Sequence, residues 1–299
     1  MRPISSVVNQ ILLGDCLDVL KEIESDSCCA IVCDPPYALG TKEPTGEEID
    51  AYLNGAELDS HGDFMGREWQ LPSVAIWKEA LRVLKPGGYC ASFCGTRTFD
   101  LMDAGMRQAG FTDEGVFTEK FGLTYMSWLH SQGMPKSRSI HKDLLKLPSV
   151  SQEVKDRYVG YGTALKPSWE PILLFKKPGS PLVNPDLKAP FIYSGKTTKR
   201  ESSLDGRIDN QHPTRKPLKL LRHLIPLVTP PGGTVLDMFV GSGTTCQAAA
   251  ELGFNWIGIE RDPEFYELSK KRMEIVVADL RPKDEASDFM GLMELLGDG

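Results

Sequence analysis

The sequence predicts an α/β fold built on a mainly parallel sheet. Three observations carry that expectation. Short apolar runs alternate along the chain with stretches of helical spacing. One run, Cys28–Cys33, is apolar at every position, as a strand covered on both faces must be. Two turn-forming clusters, Lys85-Pro86-Gly87-Gly88 and Pro230-Pro231-Gly232-Gly233, each stand directly before such a run.

The elements follow in order. Ile11 to Gly14 is a short apolar run, and Cys16 to Ile23 has helical spacing. The run Cys28–Cys33 comes next. Ser73 is placed to cap a helix whose apolar positions Val74, Trp77, Leu81 and Leu84 share one face. The Lys-Pro-Gly-Gly cluster stops that helix and leads into a strand over Tyr89–Phe93. A helix over about Phe99–Gln108, a strand around Val116 and a strand over Ile172–Phe175 are expected next. Leu218–Val228 reads as a helix that Pro226 should bend or end. Then come a strand Thr234–Phe239, a helix Thr244–Leu252, a strand Trp256–Ile259 and a helix from Pro263 to about Val276. Beyond Arg281 the chain is acidic, with one apolar segment, Phe289–Leu296, read as a terminal helix or frayed tail. Met102 and Met106 read as core. The whole of 1–299 is expected to be one domain. Three stretches break the rhythm and read as insertions: 38–71, 125–162 and 176–212. Loops this long inside a compact domain are usually functional or mobile.

No run of about 18 apolar residues occurs, so no membrane span is expected. Met1–Gln10 lacks the basic-then-apolar layout of a signal peptide, so a cytoplasmic protein is expected. The seven cysteines are odd in number, and Cys28, Cys29, Cys33, Cys90 and Cys94 sit in strand-like runs. They read as buried free thiols in a reducing compartment. No Cys-x-x-Cys pair occurs and no metal is expected. The net charge of −7 hides an asymmetry: Lys120 to Arg222 holds 19 Lys/Arg against 8 Asp/Glu, whereas Asp34 to Gln70 holds 2 against 9. A phosphate-binding face needs a local basic patch and not a basic total.

Two motifs carry chemistry. The strand Thr234–Phe239 runs into Val240-Gly241-Ser242-Gly243-Thr244-Thr245 and a helix. Glycines at such a turn let backbone approach a ligand, and the helix start adds free N–H groups. A second strand ends in Glu260, about 20 residues on, where a carboxylate can accept two ribose hydroxyls. A phosphate-gripping loop would need a lysine after Gly243, and the dinucleotide fingerprint would need glycine where Cys246 stands. The turn therefore fits an adenosine ligand better than either. The other motif is Asp34-Pro35-Pro36-Tyr37 at the end of Cys28–Cys33. Two prolines fix an extended turn that holds a carboxylate, carbonyl oxygens and an aromatic face in one relation.

With these motifs the chain resembles the amino-methyltransferases of DNA, in the beta group, whose catalytic motif precedes the cofactor motif. The resemblance spans nearly the whole chain. It rests on Gly14-Asp15-Cys16-Leu17, Asp34-Pro35-Pro36-Tyr37, Leu81 to Phe93, Gly162 to Pro171, His212-Pro213-Thr214-Arg215-Lys216-Pro217 and Asp237 to Thr245. Gly133-Met134-Pro135-Lys136-Ser137 and Thr163-Ala164-Leu165-Lys166-Pro167 are similar to phage-type members. The resemblance implies a circularly permuted, seven-stranded, Rossmann-like S-adenosylmethionine methyltransferase sheet, mostly parallel with one antiparallel strand. The strands ending at Asp34 and Phe239 would then lie side by side. It also implies S-adenosyl-L-methionine as cofactor, with Asp237, Phe239, Gly241, Gly243 and Thr244 shaping its pocket. Glu260 would hold the ribose and Asp15 the adenine amino group, while Lys216 and Thr214 would meet the methionine end. Asp34 and the carbonyl of Pro35, held by Pro36, would accept from the target amino group, and Tyr37 would stack on the target base.

Double-stranded DNA is the implied partner, and a homodimer is common in the family. Lys196, Lys199, Arg200 and Arg207 lie where the family places target recognition; Lys136, Arg138, His141 and Lys142 form a second basic group. Each is expected to contact phosphate more than bases. His61, His130 and His223 are read as having no catalytic part. The expected reaction is transfer of methyl to N6 of adenine after base flipping. N4 of cytosine is the alternative, and a non-catalytic nucleotide- or DNA-binding module is an alternative of another class. Methylation of protein glutamine amides fits less well, because its tetrapeptide starts with Asn and follows the cofactor motif.

Overall fold

The computed structural model of the protein describes residues 1–38, 44–58, 70–113, 125–130, 139–162, 169–183, 191–210, 212 and 215–281. In chain order the elements are β1 (Gln10–Leu13), α1 (Cys16–Glu22), β2 (Cys28–Cys33), α2 (Gly46–Leu53), α3 (Val74–Val83), β3 (Leu84–Phe93) and α4 (Phe99–Ala109). Then come β4 (Tyr125–Leu129), α5 (Ile140–Leu145), α6 (Gln152–Arg157), β5 (Trp169–Lys176), β6 (Phe191–Tyr193) and α7 (Lys199–Ser202). The chain continues with α8 (Leu218–Val228), β7 (Thr234–Asp237), α9 (Thr244–Glu251), β8 (Asn255–Glu260) and α10 (Pro263–Leu280).

The described strands form one sheet in the order β1-β8-β7-β2-β3-β5-β4-β6. Every neighbouring pair among them is parallel except the two made by β5. The expected α/β class with a single antiparallel strand is the observed one. The sheet has eight strands where seven were expected. The extra strand is β6, three residues long with two exposed side chains, too short and too one-sided to stand out as an apolar run. β4 also lies in a stretch read as an insertion, and its pattern Tyr-Met-Ser-Trp-Leu is broken by Ser127. The strand expected near Val116 and the segment Phe289–Leu296 lie outside the described residues.

Both faces of the sheet are covered, and the strands show why. Along β2, Ile31 and Cys33 enter one core with α1, α3 and α4, while Ala30 and Val32 enter the other with α8, α9 and α10. β5 repeats this with Leu173 and Phe175 against Ile172 and Leu174. Successive side chains of a strand point to opposite faces, so a doubly covered strand has no polar position to spare. Met102 and Met106 are core, as expected, and all seven cysteines are buried and free.

The Lys-Pro-Gly-Gly cluster corrects one boundary. Leu84 begins β3 and does not end the preceding helix. The ladder pairs Cys28 with Leu84 and then Ala30 with Tyr89, so the cluster is a bulge within the strand. Gly87 sits at φ +77°, and a side chain there would run into the Ser180 carbonyl. Helix α8 runs through Pro226 and ends two residues later, at Val228. α3 is capped by Ser73 as expected, its Oγ accepting the Ile76 N–H.

Trp77 on α3 is fully buried and meets Phe111 edge-on, with ring centroids 6.4 Å apart. Trp77→Ala is expected to cost about 3–5 kcal/mol in urea unfolding, because it leaves a large cavity. Trp77→Phe should cost much less, since the smaller ring keeps most of the apolar contacts and the edge-on meeting with Phe111. Equal losses for the two would contradict this packing account.

Candidate active site

Parallel pairing sets all strand ends of one polarity along a single edge of the sheet. β1 ends beside Asp15, β8 in Glu260, β7 in Asp237 and β2 just before Asp34. β4 ends just before His130, and β6 just before Ser194–Lys196. Because β5 runs the other way, its beginning, Trp169-Glu170, lies on the same edge. The register sharpens this. Ile31 pairs with Leu236, and three residues beyond each partner stand Asp34 and Phe239. Leu13 pairs with Glu260, and Asp15 follows two residues later.

One half of this edge is acidic and glycine-rich. The Asp237 carboxylate accepts the Phe239 N–H at 3.0 Å, which ends β7 two residues before the expected boundary and folds the chain into the turn. Glu260 accepts the Gly241 N–H at 2.8 Å through one oxygen and the Asp262 N–H at 2.8 Å through the other. A carboxylate has about four acceptor positions, so acceptor capacity remains for a hydroxyl donor. Gly241 is at φ +51°, and a Cβ there would come within 2.8 Å of His212 Nε2. His212 is buried and packs on Phe265 at 4.4 Å between centroids. Gly243 is also in the left-handed region, at φ +85°, and precedes Thr244 at the start of α9. Phe239 is half-buried beside the turn. Asp15 caps α1 by accepting the Leu17 N–H at 2.9 Å and is otherwise exposed. Burial raises the Asp237 carboxyl to about 7, with Asp34 and Glu260 adding to the rise against the Thr245 and Phe239 hydrogen bonds. Burial raises Glu260 too, against its backbone hydrogen bonds. Among the described residues this half therefore holds carboxylates with no cation of their own. A diol acceptor, an apolar ring and a turn with two glycines fit an adenosyl group carrying a positive charge.

The other half is a closed ion cluster. Lys216 Nζ lies 2.5 Å from Asp34 Oδ2 and 3.4 Å from Glu170 Oε2. It also donates to the Tyr37 hydroxyl at 3.0 Å. The Tyr37 hydroxyl in turn donates to Asp34 Oδ1 at 2.6 Å, with Glu170 Oε2 3.3 Å away. Thr98 Oγ1 donates to the Tyr37 carbonyl at 2.8 Å and fixes the tetrapeptide's end. The Lys216 ammonium is held above the usual lysine range: burial would lower it, and Asp34 and Glu170 outweigh burial. Burial, with Asp34 and Glu170 beside it, pushes the Tyr37 phenol well up. Glu170 is held well below the usual carboxylate range, since Lys216, His130 and Lys196 reverse what burial alone would do.

Sequence reasoning missed Glu170 and set His130 aside. Glu170 lies opposite Trp128 in the β4–β5 ladder, so both side chains stand on one face, where Phe93 meets Trp128 edge-on at 6.3 Å. Lys216, just before α8, comes over the same face and lies 4.8 Å above the Phe93 ring. The signal available was a lone carboxylate, Trp169-Glu170-Pro171, opening an otherwise apolar strand. His130 is buried, with its Nε2 3.6 Å from Glu170 Oε1, an electrostatic contact too long for a hydrogen bond.

Of the basic residues read as DNA contacts, Lys196 belongs to this cluster: it bonds Glu170 Oε1 at 2.8 Å and lies 4.5 Å over the Trp128 ring. Arg200 pairs with Asp205, and Arg207 pairs with Asp279 of α10. Lys199 is exposed at the start of α7. In the second group, His141 Nδ1 is 2.9 Å from the Lys155 carbonyl and Lys142 lies on α5. Lys136, Arg138 and Thr214 lie outside the described residues.

The sequence profile of the DNA methylases designated N6_N4_Mtase matches residues 29–271, a span that holds the ion cluster and the glycine turn but not β1 or Asp15. The chain belongs to this family. Among curated relatives, the type II methyltransferase M.HindIII of Haemophilus influenzae is 28% identical, over 90% of this DNA methylase and 96% of its own length. Two solved structures share the fold. The PvuII DNA methyltransferase, cytosine-N4-specific, matches with a TM-score of 0.60 and 19% identity over 90% of each chain. The M1.HpyAVI–SAM complex matches with a TM-score of 0.56 and 22% identity, over 88% of this chain and 98% of that one.

Asp237 yields a test. Its proton is held more tightly in the folded chain than in the unfolded one, so the unliganded fold loses stability as pH rises from about 4 towards about 7. Asp237→Asn keeps an acceptor for the Phe239 N–H and removes that loss. The variant should raise the thermal midpoint at pH 8 by roughly 5 °C, and by less than half as much near pH 5. A gain of the same size at both pH values would mean that the buried charge is not its cause.

Proposed function

We propose that this DNA methylase transfers a methyl group from S-adenosyl-L-methionine to N6 of adenine in double-stranded DNA. The observation that carries the proposal is the pairing of β2 with β7, which sets Asp34-Pro35-Pro36-Tyr37 beside the Gly241–Gly243 turn. Glu260 would take the ribose hydroxyls, Phe239 the adenine ring and Asp15 its amino group, with Asp237, Gly241, Gly243 and Thr244 completing the pocket. The cofactor supplies an activated methyl group on a cationic sulfur.

The remaining work falls to the chain. An exocyclic amino group is a weak nucleophile, because its lone pair is delocalised into the ring. Two acceptors on its hydrogens, Asp34 and the Pro35 carbonyl, favour the tetrahedral nitrogen and free the lone pair. A fixed carboxylate does this more strongly than a neutral acceptor. Much of the rate then comes from holding nitrogen and methyl in line. The base must leave the duplex to reach Asp34, and the Tyr37 ring offsets part of the lost stacking. Asp34 binds the amino group of either base. Adenine is favoured because Asp at the first position of the tetrapeptide, in this motif order, goes mostly with adenine in the family. The cytosine-N4-specific fold relative keeps N4 of cytosine as the second reading.

The test is mass spectrometry of nucleosides from amplified, unmethylated bacterial DNA incubated with the protein and methyl-labelled S-adenosylmethionine. N6-methyladenine is the expected product; N4-methylcytosine would overturn the choice of base, and no labelled base would overturn the activity. Asp34→Ala should lower the single-turnover rate by at least about 1000-fold while cofactor affinity stays within about threefold. A variant that methylates at the wild-type rate would sink the role given to Asp34.

A further inference from the structure

Asp34 would meet a target base with both of its oxygens already engaged. Each of its oxygens already holds a donor: Oδ1 the Tyr37 hydroxyl, Oδ2 the Lys216 ammonium. Acceptor positions remain on both oxygens, but an incoming amino group competes with these donors for the same carboxylate charge. A donor that yields its place needs another acceptor, because a buried ammonium or hydroxyl left without one is strongly disfavoured. The structure shows where the donors can go. Glu170 Oε2 lies 3.3 Å from the Tyr37 hydroxyl and 3.4 Å from Lys216 Nζ, the same two groups that hold Asp34.

We propose that Glu170 is a positioning residue, the second acceptor that takes over Tyr37 and Lys216 when the target amino group binds Asp34. The proposal rests on the amino-methyltransferase reading above. A tyrosine hydroxyl carries one proton, and turning it from Asp34 to Glu170 requires only rotation about the C–O bond. The ammonium carries three and already spans both carboxylates. Lys216 thus keeps a counter-charge before and after the base arrives.

The two oxygens of Glu170 divide the work. Oε1 is anchored by Lys196 at 2.8 Å, with the His130 ring at 3.6 Å. Oε2 faces the exchange. The backbone beneath is fixed by the β4–β5 ladder, where Glu170 pairs with Trp128. Lys196 itself lies over the Trp128 ring. The groups facing Glu170 are Asp34, Tyr37, Lys216, Lys196 and His130, with the buried Cys94 thiol nearby. Lys216 is the cation that both carboxylates share.

The test uses Glu170→Gln and Glu170→Asp in the full chain with unmethylated DNA and S-adenosylmethionine. Wild-type activity is measured first, and its absence would count against the proposed function and not against Glu170. Given activity, Glu170→Gln should lower kcat by about 10- to 100-fold, with cofactor affinity and KM for DNA within about threefold. The pH profile separates positioning from mere structure. With two anions beside it Lys216 stays charged, and wild-type kcat should be flat from about pH 7 to pH 10. With one anion removed, burial lowers Lys216 towards that range, and kcat of the Gln variant should fall on the basic side. Glu170→Asp keeps the charge and should keep the flat profile, with kcat between the other two. The proposal is overturned by a Gln variant with kcat within about twofold of wild type, by a loss confined to KM, or by a lowered kcat without the basic fall. Failure of both variants to fold would also overturn it, since the role would then be structural.

Discussion

Parallel pairing of β2 with β7 is the constraint on which the rest depends. The two strands are far apart in the chain, and each is buried along its whole length. Ala30 pairs with Val235 and Ile31 with Leu236 in the middle of the sheet, between helices on both faces. Such a strand pair has no exposed side to slide along. A register slip of one residue would turn every side chain to the wrong core. That rigidity is what fixes the Asp-Pro-Pro-Tyr turn against the glycine turn, at a strand edge where open α/β sheets bind ligands.

The charges along that edge are unevenly matched. Beside the glycine turn, Asp237 and Glu260 are buried with hydrogen bonds but without a cation among the described residues, and both hold protons more tightly than exposed carboxyls. In the ion cluster, Asp34 and Glu170 share Lys216, and Glu170 has Lys196 as well. The side lacking a cation suits a ligand that brings one. The compensated side suits a neutral base, whose amino group must compete for acceptors already in use. The same sheet thus provides two adjoining sites of different electrostatic character.

Part of the basic stretch is tied into the fold. Arg200 and Arg207 are paired with acids, and Lys196 is drawn into the cluster at the sheet edge. α7 is tied to the core from beneath: Arg272 of α10, almost fully buried, bonds Gln247 at 2.6 Å and the Ser202 carbonyl. The segment read as a target-recognition region is therefore joined to the helix that backs the Gly243 turn, where Arg272 and Ser269 pack closest.

What the sequence determined by itself is local and periodic. The uniform apolarity of Cys28–Cys33 required a strand covered on both faces. Proline and glycine spacing marked both turns, and the family resemblance implied which strands would adjoin. Its failures have the same origin. β6 is three residues long and half exposed, so neither periodicity nor composition marks it, and only its pairing with β4 makes it a strand. Leu84 fits the helical face as well as it fits a strand; the bulge against Cys28 decides between them. Glu170 and His130 could not be linked to Asp34 by any spacing, because they come from β5 and the end of β4. Only the reversed direction of β5 brings the start of that strand to the edge where the others finish. Ion pairs among residues so far apart in sequence are decided by strand order and direction, and these are properties of the folded sheet as a whole.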